Sequence, residues 1–139
     1  MAQLKISTLS VGDWVQDKEG TPAKILGIEQ WSGEYYLNVE VNGADVGNVI
    51  AKGALPIPIT PEILEKNGFK DVSGGLFRYE REWRDDKIAV MLCSFDEELW
   101  FVDFDFRGGR CVRTNIPIFY INQLQHILSL AGVDKEIGL

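Results

Sequence analysis

The stretch Pro56-Ile57-Pro58-Ile59-Thr60-Pro61-Glu62-Ile63-Leu64-Glu65-Lys66-Asn67-Gly68-Phe69 constrains the fold more than any other part of the chain. It holds three of the five prolines. Pro56 and Pro58 have no backbone N–H, so an extended segment containing them belongs on a sheet edge. Thr60 is a natural N-cap, and Pro61 fits the first helical position, where a missing donor costs nothing. Glu62 falls in the first turn, where the helix dipole favours negative charge. Asn67-Gly68 is a stop signal, with Phe69 placed to fold back on Ile63 or Leu64. The helix so bounded has about two turns and needs packing to persist. Ile63, Leu64 and Phe69 are therefore expected to be buried, with the helix filling a hinge between two sheets.

Before this hinge the chain reads as short strands and tight turns. Strands are expected at residues 14–16, 23–29, 35–41, 46–50 and 55–59. The third alternates best, with Tyr35, Leu37, Val39 and Val41 on one face and Tyr36, Asn38 and Glu40 on the other, the period of a half-buried strand. Asn42-Gly43 is a strong hairpin signal. Five such strands suggest a small barrel, and the Gly12-Asp13-Trp14-Val15 opening resembles barrels of the KOW and Tudor kind. Trp31 and Tyr36 then either form a ligand platform at the loop ends or pack the barrel.

After the hinge an antiparallel meander is expected, with strands at 76–82, 87–95 and 99–106 and a return strand ending at Phe119. The strand at 87–95 is the most apolar and is expected to be central. The turn Arg107-Gly108-Gly109-Arg110 decides a register. A two-residue loop would set Phe104 opposite Arg113 and put a charge on the aromatic face. A three-residue loop with Gly109 left-handed sets Phe104 opposite Val112, Val102 opposite Thr114 and Asp103 opposite Arg113, which keeps each face self-consistent. Residues 120–131 form the longest expected helix, stopped by Gly132. Its apolar half carries Tyr120, Ile121, Leu124, Ile127, Leu128, Leu130 and Ala131; Asn122, Gln125, His126 and Ser129 occupy the polar half, with Gln123 at the boundary. Val133, Ile137 and Leu139 could dock the tail.

The fold class is thus α+β: a five-stranded barrel lobe over residues 1–59, a linking helix over 60–69, and a meander with a closing helix over 70–139, together one compact unit. Net charge is −7, from 14 basic and 21 acidic residues. No basic tail or stripe accompanies it, which disfavours nucleic acid as a partner. No run of 18 apolar residues exists, so no membrane partner is expected. The first ten residues lack a signal peptide's apolar core, which implies a cytoplasmic protein. In that reducing compartment Cys93 and Cys111 read as buried free thiols.

Little in the sequence points to catalysis or a cofactor. His126 has no evident nucleophile or carboxylate beside it, and with Cys93 and Cys111 it lacks metal-ligand spacing. Asp96, Glu97 and Glu98 read as a turn, and Asp103 and Asp105 as the outer face of a strand rather than a cation site. The glycine turns at 73–75 and 108–109 match no phosphate loop. No cofactor is expected and the chain reads as no enzyme. The surface candidate is Arg78, Arg81, Trp83 and Arg84 with Arg107 and Arg110, arginine and aromatic groups interleaved on a sheet edge as anchors for a protein partner. Glu80, Glu82, Asp85 and Asp86 offer the competing reading, a salt-bridged strand edge.

The hinge motif Ile57-Pro58-Ile59-Thr60-Pro61-Glu62, with Tyr120-Ile121-Asn122-Gln123-Leu124-Gln125 and the closing helix, resembles a family of small uncharacterised proteins of gut Bacteroidota and their prophages or mobile elements. Many members have histidine where Asn122 stands, which speaks against chemistry there. The resemblance implies kinship across both halves and carries no activity. The functional expectation is a non-catalytic interaction module of a phage or mobile element with a protein partner. The alternatives are a nucleic-acid-binding small barrel and, further off, an enzyme with an unrecognised site.

Overall fold

A computed structural model describes residues 5–83, 86–94, 99–106, 110–133 and 135–139, with 81–83, 86 and 110 described as backbone only. Among the described residues the fold is α+β, with antiparallel sheets of four and five strands and two α-helices. Two compact units divide the chain: Met1–Ile57 with Tyr120–Gln125, and Pro58–Phe119 with His126–Leu139.

In the first unit β1 (Trp14–Gln16), β2 (Pro22–Trp31), β3 (Glu34–Val41) and β4 (Ala44–Ile50) follow one another across the sheet. Asn42 and Gly43 have φ of 53° and 81°, so both central turn residues are left-handed, and Val41 pairs with Ala44 as a two-residue hairpin requires. The alternation along β3 is realised: Leu37 and Val39 are buried with Val15, Ile25, Leu9 and Ala54. A bulge between Ile25 and Gly27 bends β2.

Residues 55–59 do not form the expected fifth strand. Leu55 bridges to β1, donating to Gln16 O at 2.8 Å and accepting from Gln16 N at 2.9 Å. Beyond it the ladder fails because Pro56 and Pro58 have no N–H to give. Their neighbours bond elsewhere: Pro56 O accepts from Gln16 Nε2 at 2.8 Å, and Ile57 O from Ile121 N at 2.8 Å. The four-stranded sheet therefore stays open, and no closed barrel is formed among the described residues.

The Gly-Asp-Trp-Val opening is anchored by a glutamine. Gln125 Oε1 accepts from Trp14 N at 3.1 Å, and its Nε2 donates to Gly12 O at 2.9 Å. One side-chain amide thus satisfies a donor and an acceptor of the turn, as a neighbouring strand would.

The second unit begins with α1 (Pro61–Lys66). Thr60 Oγ1 accepts from Ile63 N at 3.3 Å, and Phe69 N donates to Leu64 O at 3.0 Å. The N-cap and the C-terminal stop are as the sequence implies, with Leu64 and Phe69 buried and Ile63 half-buried. Gly68 closes the motif at φ 86°, where a Cβ meets the following carbonyl. Gly68→Ala is expected to lower unfolding stability by about 1–2 kcal/mol. Urea denaturation measures it; an unchanged midpoint would show that the cap relaxes without cost.

Then β5 (Lys70–Asp71), β6 (Leu76–Trp83), β7 (Asp86–Ser94), β8 (Trp100–Phe106) and β9 (Arg110–Ile118) form a meander in sequence order. As expected, β7 is central, and Ile88, Val90 and Leu92 are fully buried on it. The β8–β9 register sets Phe104 opposite Val112 and Asp103 opposite Arg113, the arrangement that keeps each face consistent. Beyond Asp103 the pairing shifts, so Val102 does not pair with Thr114; Thr114 Oγ1 instead donates to Val102 O at 2.9 Å. The Gly109 conformation lies outside the described residues.

The last helix, α2 (Ile121–Leu130), ends where Val133 N donates to Leu128 O at 2.9 Å, with Gly132 at φ 73°. Its covered arc is rotated from the one periodicity implies. Ile121, Leu124 and Leu128 are buried as expected, but Asn122 is only 3% exposed and Leu130 is 89% exposed. The wheel orders residues by polarity, whereas the arc that meets neighbours is set by the rest of the fold. Val133 and Ile137 of the tail are buried.

Candidate functional site

In the first unit the open sheet leaves an apolar slot. Val15 and Gln16 of β1, Val39 and Val41 of β3, and Val46 and Val49 of β4 line a cavity of about 480 Å³. Strands from both ends of the sheet line it. The walls are almost wholly aliphatic. Asp17 and Thr21 supply polar groups at the rim. Asp17 is already engaged: its Oδ1 accepts from Glu19 N and Thr21 N, both at 2.9 Å.

β4 is the other half of this site. It ends the sheet, and among the described residues no strand pairs with its outer edge. Val46 is 55% exposed, and Val49 and Ile50 are also exposed. An edge of this kind is ordinarily protected by charge, proline or a cover. Here Asp45 is the only charged residue of the strand, and its carboxylate accepts from Gly47 N at 2.9 Å. A bulge at Val46–Gly47, with Gly47 at φ 86°, interrupts this edge, so backbone donors and acceptors are presented in two short runs with aliphatic recesses beside them.

The arginine and aromatic set occupies β6 and β9. Arg78 Nε donates to Glu80 Oε1 at 2.7 Å, and Arg78 Nη1 lies 3.9 Å from Asp105 Oδ2. The hydrogen bond and charge of Arg78 hold the Glu80 carboxyl below the usual glutamate range. In the register Arg78 stands opposite Met91, while Arg81 stands opposite Ile88 and Arg110 opposite Phe106. Since strand residues alternate, Arg81 belongs to a different register face from Arg78. Trp83 pairs with Asp86 at the end of the ladder. Arg84 and Arg107 lie outside the described residues.

Other sequence candidates are dispersed. Trp31 and Tyr36 are ring neighbours, 5.4 Å between centroids and tilted by 42°, with Trp31 exposed at the β2–β3 turn. His126 is half-buried on α2. Cys93 and Cys111 are free thiols, but Cys93 is half-buried and Cys111 exposed, so the expectation that both are buried is corrected. Each sits on the register face opposite the β7–β8 core, Cys93 across from Phe101 and Cys111 across from Asp105. Asp96, Glu97 and Glu98 lie outside the described residues, as do Gly108 and Gly109. Among the described residues no three His, Cys, Asp or Glu side chains gather as metal ligands, and no helix is long and apolar enough to cross a membrane. No protein-family model, curated protein or solved structure matches the chain.

The slot was not singled out in the sequence. Its signal was the pairing of two facts: prolines that stop residues 55–59 from completing a sheet, and a β4 segment with three exposed aliphatic positions and one charge.

Proposed function

We propose that the chain is a non-catalytic interaction module whose first unit accepts an extended aliphatic segment of a protein partner. The observation that carries this is the coincidence of the unpaired β4 edge with the adjoining 480 Å³ aliphatic cavity. A strand added to β4 gains main-chain hydrogen bonds, and its alternate side chains enter the recess. A small-molecule site of this volume ordinarily carries several convergent polar groups to orient its ligand. This lining has few, and Asp17 is spent on its own turn, which favours a strand over a metabolite.

The partial closure at Leu55 supports reading the lobe as a small barrel of the KOW or Tudor kind that lacks part of its wall. The 3-10 turn Ala51–Gly53 leads from β4 to the Leu55 bridge with β1, so the connectivity is that of a five-stranded barrel stopped after one residue pair. The partner segment would complete that wall. A phage or mobile-element setting belongs to the same proposal and rests on the hinge and closing-helix sequence features.

The test uses peptides selected on the whole chain from a random displayed library. Val46→Glu with Val49→Glu is expected to weaken the selected peptides by at least about tenfold, with an unchanged melting temperature because both side chains are exposed. Undiminished binding by that variant would rule out the slot.

A further inference from the structure

The tail beyond α2 is seated on the second unit by side chains rather than by secondary structure. No helix or strand forms over residues 135–139. Three anchors hold the segment. Asn67 takes both backbone groups of Gly138: its Nδ2 donates to the carbonyl and its Oδ1 accepts from the N–H, each at 2.8 Å. Lys135 Nζ lies over the Tyr79 ring, 4.9 Å from its centroid. Between these two, Ile137 is 2% exposed, while Glu136 and Gly138 on either side of it are exposed.

We propose that this seat is a peptide-binding site, in which a Lys-x-Ile-Gly segment of a protein partner takes the place of the chain's own tail. The tail that now fills the seat defines the chemistry of that occupant. A side-chain amide paired with the N–H and C=O of one residue does the work of a neighbouring strand, and it recognises backbone whatever the side chain. The Tyr79 face favours a cation two positions before the buried residue. The buried position takes one branched aliphatic side chain, whose removal from water drives association. A backbone clasp, a cation on a ring and a single apolar anchor are how a short extended segment is held, with few residues carrying the binding.

The anchors are fixed by the fold and not by the tail. Asn67 is held at the end of α1, where its Nδ2 also donates to Ile63 O at 2.8 Å. Tyr79 is backed by the buried Phe69, with 5.3 Å between ring centroids. Such a site is ordered before its ligand arrives, which lowers the cost of binding. Departure of the tail also leaves α2 closed, because Val133 N bonds Leu128 O upstream of all three anchors. The tail competes with a partner segment at an effective concentration in the millimolar range. Dislodging it is therefore what opens the site.

Fluorescence anisotropy of a labelled synthetic peptide of residues 133–139, titrated with full-length chain, tests the proposal. Ile137→Glu dislodges the tail by putting a carboxylate at a buried position, and Gly138→Pro does so by removing the N–H that Asn67 accepts. Each variant chain is expected to bind the peptide at least about tenfold more tightly than the parent chain. Peptides carrying Lys135→Ala or Ile137→Ala should each bind the opened chains more weakly, the second by at least about tenfold. No binding to a folded variant overturns the proposal. Affinity that is equal for parent and variant chains, or indifferent to both peptide substitutions, places the peptide elsewhere and overturns it too. A readout that needs no variant is exchange of the Gly138 amide in the parent chain. Unlabelled peptide at millimolar excess should speed it several-fold by displacing the tail, and unchanged exchange there contradicts the proposal.

Discussion

Trp100→Ala is expected to lose about 3–5 kcal/mol of unfolding stability, the largest effect of any single substitution considered. Trp100 is 2% exposed, and its ring packs edge-on against Phe77 with 5.8 Å between centroids. Truncation removes a large transfer term and leaves a cavity that the flanking strands cannot fill, since β7 and β9 hold β8 on both sides. Trp100→Phe should cost far less, under about 1.5 kcal/mol. Trp100 Nε1 is buried with no hydrogen-bond partner among the described residues. Replacing the indole by a phenyl ring gives up some volume but removes a buried donor that gains nothing from its surroundings. Urea denaturation of the two variants measures the contrast. Equal losses for Phe and Ala would mean that the indole N–H is bonded and the account of this layer is wrong.

The second large effect is expected at Asn67, which is 7% exposed. Its Nδ2 donates to Ile63 O and to Gly138 O, both at 2.8 Å, while its Oδ1 accepts from Gly138 N at 2.8 Å. One amide thus closes the last turn of α1 and holds the tail by both backbone groups of a single residue. Asn67→Ala strands the Gly138 carbonyl and N–H at about 1 kcal/mol or more each, about 2–3 kcal/mol in all, while Ile63 O keeps the backbone N–H of residue 67 at 3.2 Å. It should also release the tail, so the Gly138 amide should exchange much faster than in the parent chain. Asn67→Asp keeps the acceptor for Gly138 N but loses both donors and sets a carboxylate beside two carbonyls. It is expected to be no more stable than Asn67→Ala at neutral pH. Slow Gly138 exchange in Asn67→Ala would show that Val133 and Ile137 hold the tail alone.

What the sequence showed follows from the range of the interactions involved. Thr60-Pro61 and Asn67-Gly68 bound α1 because caps and stops act within a few residues. Asn42-Gly43 is similar, since the turn itself selects left-handed residues. The β8–β9 register was also legible, because a one-residue slip would turn every side chain to the wrong face. Longer-range choices were not. Pro56 and Pro58 announce that donors are missing, but not that Gln16 Nε2 and Ile121 N take up the free carbonyls. Asn67 reads as a stop, and its hold on Gly138 spans 71 residues. Asn122 falls on the polar half of the wheel and is nonetheless buried, while Leu130 falls on the apolar half and is exposed. Periodicity fixes the stripe on a helix, not the neighbours that cover it. The β4 slot was hidden for the same reason: Val46, Val49 and Ile50 look like any strand until the missing fifth strand leaves them open.

Amide hydrogen exchange of the whole chain, with and without a saturating peptide selected on it, tests strand acceptance most directly. New protection is expected in β4, over Asp45 to Ile50, with loss of that protection in the Val46→Glu, Val49→Glu variant. Protection confined to other elements, or unchanged exchange along β4 with the peptide bound, would contradict it.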